Sequence, residues 1–275
     1  MPELPEVETI KNDLRDQLVG CTFTSVWLLW PGMVLQPGAE ELKSRLVGQK
    51  VMEVGRRGKY LILHLSGGEA LVIHLRMSGA LLLRASPTPP DGHTRAIFGL
   101  DNGQELHFWD RRKLGTMALV ADENQLTARL GPEPLEESFT PEVLAGVLKR
   151  HKAPLKVVLL DQMAIAGIGN MYADEALFAA RIHPLRPANK LSGDEMEHLH
   201  RAIRQVLLAG IKGRGASVDT YRDAAGEEGT AHLQFKVAHR GGQPCPVCGV
   251  SIQRLPLRGR GTYFCPRCQA EPAEI

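Results

Sequence analysis

At 275 residues with 43% hydrophobic side chains, the chain is long enough for one large or two ordinary domains with real cores, which excludes a disordered polypeptide. No run approaches the roughly 18 apolar residues of a membrane span, and residues 1–20 mix Glu, Lys, Asp and Arg where a signal peptide would be apolar, so a soluble cytoplasmic protein is expected. The formal charge of +2 argues for no partner by itself; what matters is how the charge is distributed along the chain.

In chain order, Val7, Ile10, Leu14 and Leu18 fall at helical spacing behind Pro5 and two early glutamates, with Gly20 just beyond, so a helix is predicted over Pro5–Leu18. Cys21 opens an apolar strand-like run and reads as a buried thiol. From there to about Ala121 the pattern is of short β-rich runs, among them Tyr60–Leu65, Ala70–Met77, Ala80–Leu83 and Glu105–Trp109, with Asp101-Asn102-Gly103 as a hairpin turn. No helical crossovers separate these runs, which favours a two-layer antiparallel sandwich or barrel over a doubly wound sheet. After Gly131-Pro132-Glu133-Pro134 the period turns helical. Thr140-Pro141 starts one helix, and Ser192-Gly193-Asp194-Glu195 is a capping box for another running to about Ala209. Gly213–Gly229 reads as a long loop.

The last segment is chemically distinct. Between Gly229 and Ala270 there is no Asp or Glu, while Lys236, Arg240, Arg254, Arg258, Arg260 and Arg267 all fall there, a distribution that attracts a polyanion. Cys245-x-x-Cys248 and Cys265-x-x-Cys268 have the spacing of a four-thiolate site, and soft sulfur ligands in a tetrahedral set suit one structural zinc ion. Disulfides are the alternative, disfavoured in a reducing compartment.

At the other end, removal of Met1, which the small Pro2 permits, would leave a secondary amine. An α-amino group titrates near ~8, so an appreciable fraction is neutral and nucleophilic at physiological pH. Attack at C1′ of a deoxyribose would expel the base and form an iminium, an electron sink that acidifies the C2′ proton and leads to strand cleavage. Glu3 could transfer protons at the sugar. Read alone, Pro-Glu is more simply an ordinary helix entry with acids near the positive end of the dipole.

The opening Met1-Pro-Glu-Leu-Pro-Glu-Val-Glu-Thr9 closely resembles that of formamidopyrimidine-DNA glycosylases, and the resemblance extends over essentially the whole chain. It implies an α+β multidomain protein: an N-terminal helix plus antiparallel β-sandwich over 1–132, a helical helix-two-turn-helix domain with a lesion-capping loop over 133–228, and a β-hairpin zinc finger over 229–275. Arg56-Arg57-Gly58-Lys59-Tyr60-Leu61 resembles the family segment that supplies a catalytic lysine, here Lys59; on residues alone it is a solvated basic turn. His74-Leu-Arg-Met77-Ser-Gly79 and Asp110-Arg-Arg112-Lys-Leu114-Gly115 resemble the two loops that fill the space left by a flipped-out nucleotide. Strand alternation alone would put Met77 in the core with Ile73 and Leu75. The family commonly has Phe where this chain has Leu114, which keeps the wedge apolar but removes its stacking surface.

His93 aligns with a DNA contact, or is a lone surface histidine. Ala166–Glu175 resembles the helix-two-turn-helix, with Asn170 opening a helix whose free N–H groups can receive a phosphate. Lys152 and Lys156 precede it as phosphate or damaged-base contacts, or as solvated lysines on a helix. Arg260, five residues before the third cysteine, matches the arginine that grips backbone phosphates. The segment 229–240 matches less well, since a tyrosine before Gly-Arg is commoner than Ala238-His239-Arg240. The resemblance implies a monomeric glycosylase and lyase acting on damaged duplex DNA and preferring oxidised purines. Its rivals are the endonuclease VIII branch, which prefers oxidised pyrimidines, and a non-catalytic DNA-binding protein; Leu4 and the long loop at 217–228 favour the first reading.

Overall fold

The computed structural model describes residues 1–271; positions 272–275, the end of the expected zinc-finger segment, lie outside the described residues. The chain divides into two compact units that do not follow its linear order. Residues 1–129 are joined by 210–232 in the first, and residues 130–209 by the chain from 233 onward in the second. The long loop expected to close off the helical segment is thus packed in the first unit.

In the first unit, α1 spans Leu4–Leu18, one residue longer than the periodicity predicts. It starts there because Glu3 is extended and Glu6, three residues on, accepts a 2.7 Å bond from the Glu3 amide, half of a capping box. Its apolar stripe, Val7, Ile10, Leu14 and Leu18, is fully buried. There follow β1 (Phe23–Leu28), β2 (Val34–Gln36), α2 (Ala39–Leu46), β3 (Val51–Arg57), β4 (Tyr60–Leu65), β5 (Ala70–His74), β6 (Gly79–Ala85), β7 (Thr94–Leu100), β8 (Gln104–Asp110), β9 (Thr116–Val120) and the short α3 (Asn124–Thr127). They form a four-stranded sheet in the order β1-β7-β8-β6 and a five-stranded sheet in the order β2-β9-β5-β4-β3. All pairings are antiparallel except β2 with β9, whose separation in sequence imposes no hairpin constraint on direction.

Side-chain alternation divides β4. Leu61, Leu63 and Leu65 enter the main core with α1, α2 and both sheets, whereas Ile62 faces a second cluster with Val72, Ala118 and Val120. Burial on both faces is why these strands read as continuous apolar runs. Tyr221 and Ala224, from the long loop, complete the main core. Cys21 departs from its expected burial: β1 starts two residues later, and the half-exposed thiol bonds the Gln17 carbonyl instead.

The second unit contains α4 (Pro141–Leu148), α5 (Leu155–Leu159), α6 (Asn170–Ala179) and most of α7 (Gly193–Lys212), followed by a hairpin of β10 (Gln253–Leu257) and β11 (Arg260–Phe264). Thr140 caps α4 through the Val143 amide at 3.4 Å. The predicted capping box of α7 is present: Ser192 N donates to Glu195 at 2.7 Å and Glu195 N to Ser192 Oγ at 3.2 Å. The α6 and zinc-module cluster of Phe178, Val237 and Ile252 includes Cys245 and Cys265. No helix among the described residues is long and apolar enough to cross a membrane.

Candidate active site and nucleic-acid interface

Pro2 and Glu3 are buried at the head of α1, whereas Met1 is 47% exposed. Glu6, not singled out from the sequence, holds this segment: one carboxylate oxygen takes the Glu3 amide and the other takes the Ala216 amide at 2.8 Å, tying the N-terminal end of the helix to the root of the long loop. The signal that could have found it is its place three residues after Glu3, the capping-box spacing. Two residues on, Glu8 receives Arg56 Nε at 2.6 Å, and Arg56 also donates to the Gly58 carbonyl at 2.9 Å. The β3–β4 turn is therefore fastened to α1. Gly58 takes a positive φ of 57° there, and Lys59, expected as a solvated basic residue on sequence alone, is 6% exposed. Burial raises the Glu8 carboxyl, but its bonds to Lys11 and Arg56 outweigh this and keep it anionic.

His74 ends β5 with its ring edge-on to Tyr60, and its Nδ1 accepts the Arg76 amide at 2.9 Å. Burial first, then the charges of Arg76 and Lys59, lower its pKa to about 3, so the ring is neutral and carries its proton on Nε2. The strand stops at this point, and Arg76 turns the chain through φ 54°. Alternation therefore ends before Met77, which is 43% exposed rather than in the core with Ile73 and Leu75. In the loop after β8, Lys113 has φ 56° and Leu114 is 41% exposed, while Arg112 Nη1 lies 3.2 Å from Met77 Sδ. Met77, Arg112 and Leu114 thus stand together on two adjoining loops. Exposed His93 packs edge-on against Trp109 with ring centroids 5.3 Å apart.

In the second unit Gly167, at φ 82°, makes the turn before α6, and Gln162 braces it by donating to the Ile168 carbonyl and accepting the Gly167 amide. Asn170 opens α6 and donates to the Gly261 carbonyl at 3.0 Å. Lys152 is exposed. Lys156 is not: it is wholly buried, 2.6 Å from Asp174, and donates to Gly261 O and Thr262 Oγ1. Both sequence readings of Lys156, the direct phosphate or damaged-base contact and the solvated lysine, are corrected here, because its ammonium is committed inside the protein. Asp174 also accepts the Tyr263 amide at 3.1 Å, so this pair and Asn170 all grip β11 beside Arg260, whose own side chain is exposed.

Arg258 and Gly259, both at positive φ, form the two-residue turn that joins β10 to β11. The four thiols fit a single zinc ion. All four Sγ atoms lie within 4.8 Å of one another, with Cys248–Cys265 at 3.4 Å and Cys245–Cys268 at 3.9 Å. Tetrahedral ligands at the usual Zn–S length stand about 3.8 Å apart. Zinc held by four cysteines cross-links the module and has no open position for chemistry.

Comparison with known proteins agrees with each part. The model of the formamidopyrimidine-DNA glycosylase N-terminal domain matches residues 1–117, that of the glycosylase's H2TH domain matches 130–222, and that of the zinc finger found in FPG and IleRS matches 242–270. The formamidopyrimidine-DNA glycosylase of Chloroflexus aurantiacus is 47% identical over 98% of both chains, and that of Pelotomaculum thermopropionicum 46% identical over 98% of this chain and 99% of its own. The chain belongs to the formamidopyrimidine-DNA glycosylase family. Among solved structures, a point mutant of the Lactococcus lactis FPG bound to DNA containing Fapy-dG superposes with a TM-score of 0.92 at 36% identity, covering 98% of this chain and 100% of that one. The Lactococcus lactis Fpg bound to abasic-site DNA gives the same figures. Membership of this glycosylase family makes the chain a DNA glycosylase of base excision repair, with a zinc finger.

Proposed function

We propose that this chain is a bifunctional glycosylase and AP lyase that removes oxidised purines, 8-oxoguanine and formamidopyrimidines, from duplex DNA with Pro2 as nucleophile. The observation that carries this reading is the N-terminal construction: Pro2 and Glu3 are held at the head of α1 by Glu6, and the Lys59 turn is fastened to the same helix through Glu8 and Arg56. Such fixing supplies the orientation that covalent catalysis requires. Met1 is exposed, so its removal takes away surface rather than core.

The freed Pro2 nitrogen attacks C1′ of the flipped nucleotide, the C1′–N bond to the base breaks, and the departing base takes a proton. The C1′–O4′ bond then breaks, O4′ takes a proton as the sugar ring opens, and the resulting Pro2 iminium acidifies the C2′ hydrogen. Loss of that proton expels the 3′ phosphate, and a second elimination expels the 5′ phosphate, giving β,δ-elimination. Glu3 serves the proton transfers at the sugar, and the ammonium of Lys59 holds an anion or delivers a proton there. Neutral His74 offers its Nε2–H to a phosphate, with Arg260, Asn170, Lys152 and His93 as further DNA contacts. Met77, Arg112 and Leu114 fill the space vacated by the extruded nucleotide. For Lys156 the proposed role is indirect, through the placement of β11. As the family resemblance implies, the enzyme acts as a monomer, on chromosomal DNA in the cytoplasm.

Borohydride trapping tests the proposal on duplexes carrying 8-oxoguanine, an oxidised pyrimidine or no lesion. Protein lacking Met1 is expected to cross-link at Pro2 on the oxidised purine, and Pro2→Gly to lose the cross-link. Preferential trapping on the pyrimidine would move the chain to endonuclease VIII-like specificity. No product on any duplex, from protein that binds DNA, would leave a binding protein without lyase chemistry.

A further inference from the structure

The two loops that carry Met77, Arg112 and Leu114 meet on one buried carboxylate. Asp110 ends β8 and is 1% exposed. One of its oxygens receives the Ser78 hydroxyl, from the first loop, and the Arg112 amide at 3.1 Å; the other receives the Leu114 and Gly115 amides, each at 2.7 Å. Ser78 Oγ in turn accepts the Arg112 amide at 3.2 Å, which closes the link between the loops. The backbone of Asp110 is itself fixed, its amide donating to the His93 carbonyl at 2.9 Å and its carbonyl receiving Arg95 Nε at 2.7 Å.

Neither loop has slack at its exit. A Cβ on Gly79 would lie 2.5 Å from the Leu75 carbonyl oxygen, and one on Gly115 would lie 2.6 Å from the Phe108 ring. Arg76 and Lys113, each one residue before an exposed apolar tip, hold left-handed backbone that non-glycine residues adopt only when the surroundings impose it. Four donors converging on a carboxylate are such an imposition, since both oxygens of the group accept.

We propose that Asp110 is a positioning residue that joins the two loops into one preorganised wedge, so that Met77, Arg112 and Leu114 enter the duplex as a unit and the enzyme discriminates by how readily a lesion is extruded. This rests on the void-filling role assigned above to those three side chains. An amide in place of the carboxylate leaves one acceptor oxygen and turns an NH2 group toward backbone or hydroxyl donors. Asp110→Asn therefore uncouples the loops while keeping the size of the side chain.

The test is single-turnover excision of 8-oxoguanine from two duplexes, one with the lesion paired to cytosine and one with it opposite an abasic analogue, where extrusion meets no base-pair resistance. Asp110→Asn is expected to lose roughly 10- to 100-fold on the paired lesion and far less on the unpaired one, with Ser78→Ala shifted the same way by a smaller factor. Equal losses on both duplexes, or none, would overturn the proposal. Met77→Ala and Leu114→Ala calibrate the assay. If they lose the paired duplex selectively while Asp110→Asn and Ser78→Ala do not, the wedge stands and the role of Asp110 falls. If they too ignore pairing, the void-filling reading itself is wrong. Should Asp110→Asn fail to fold by circular dichroism, Ser78→Ala decides.

Discussion

His74 shows how a residue's surroundings set its chemistry. An imidazole on the surface would be partly charged near neutrality and would meet a phosphate as an ion. Here burial and two nearby cations hold its pKa down to about 3 against an ordinary 6.5, so in the proposed role it would meet one as a neutral donor. Between those values the unfolded chain binds a proton that the folded chain refuses. Stability from this group is therefore complete above pH 6.5 and is lost as the pH falls toward 3. Urea titrations of wild type and His74→Asn, in which Asn keeps an acceptor for the Arg76 amide, should differ in their pH dependence. The wild type is expected to lose about 2 kcal/mol more than the variant between pH 7.5 and 5. The histidine, the lysine and the exposed methionine were legible as segments resembling a family. Their burial was not, because β5 ends at His74, short of the predicted Met77, and the left-handed turn at Arg76 takes Met77 out of strand alternation.

The hairpin of β10 and β11 shows the same division at the scale of an element. The cysteine spacing announced the module and the acid-free run announced its charge. The sequence did not indicate that β11 is held from beneath by a buried ion pair, since Lys156 and Asp174 lie on separate helices far from it in the chain. Burial pushes the Asp174 carboxyl up, while the adjacent Lys156 ammonium and the Tyr263 amide oppose this. Arg260 stands on that support with its side chain in solvent. If it grips one phosphate, Arg260→Ala should weaken binding to all duplexes alike. It should also reduce the slope of log affinity against log salt by about one, measured by fluorescence anisotropy over a salt series. A slope unchanged from wild type would remove Arg260 from the interface.

At the scale of the whole molecule, the first unit is not a contiguous stretch of chain. Residues 210–232 return to it, with Tyr221 and Ala224 entering its core, Ala216 bonding Glu6, and Asp223 receiving Arg214, which also reaches Asp13 of α1. A fragment ending at residue 132, the boundary drawn from the Pro-rich stretch, is therefore expected to lack part of its core and one anchor of Glu6. Its melting should be less cooperative and its midpoint lower than that of a version with 210–232 fused back, measured by circular dichroism. The sequence by itself determined the local matters: the α1 stripe, the β4 and β8 runs, the caps of α4 and α7, the four-thiolate spacing and the opening Pro-Glu. Each depends on neighbours within a few residues, where backbone geometry fixes what faces what. Only the tertiary structure decided that Lys156 is buried, that Glu6 and Asp110 are the hubs of their loops, and that the long loop completes the first core. Those outcomes depend on donors and apolar surface brought together from distant parts of the chain, and no local period records such meetings.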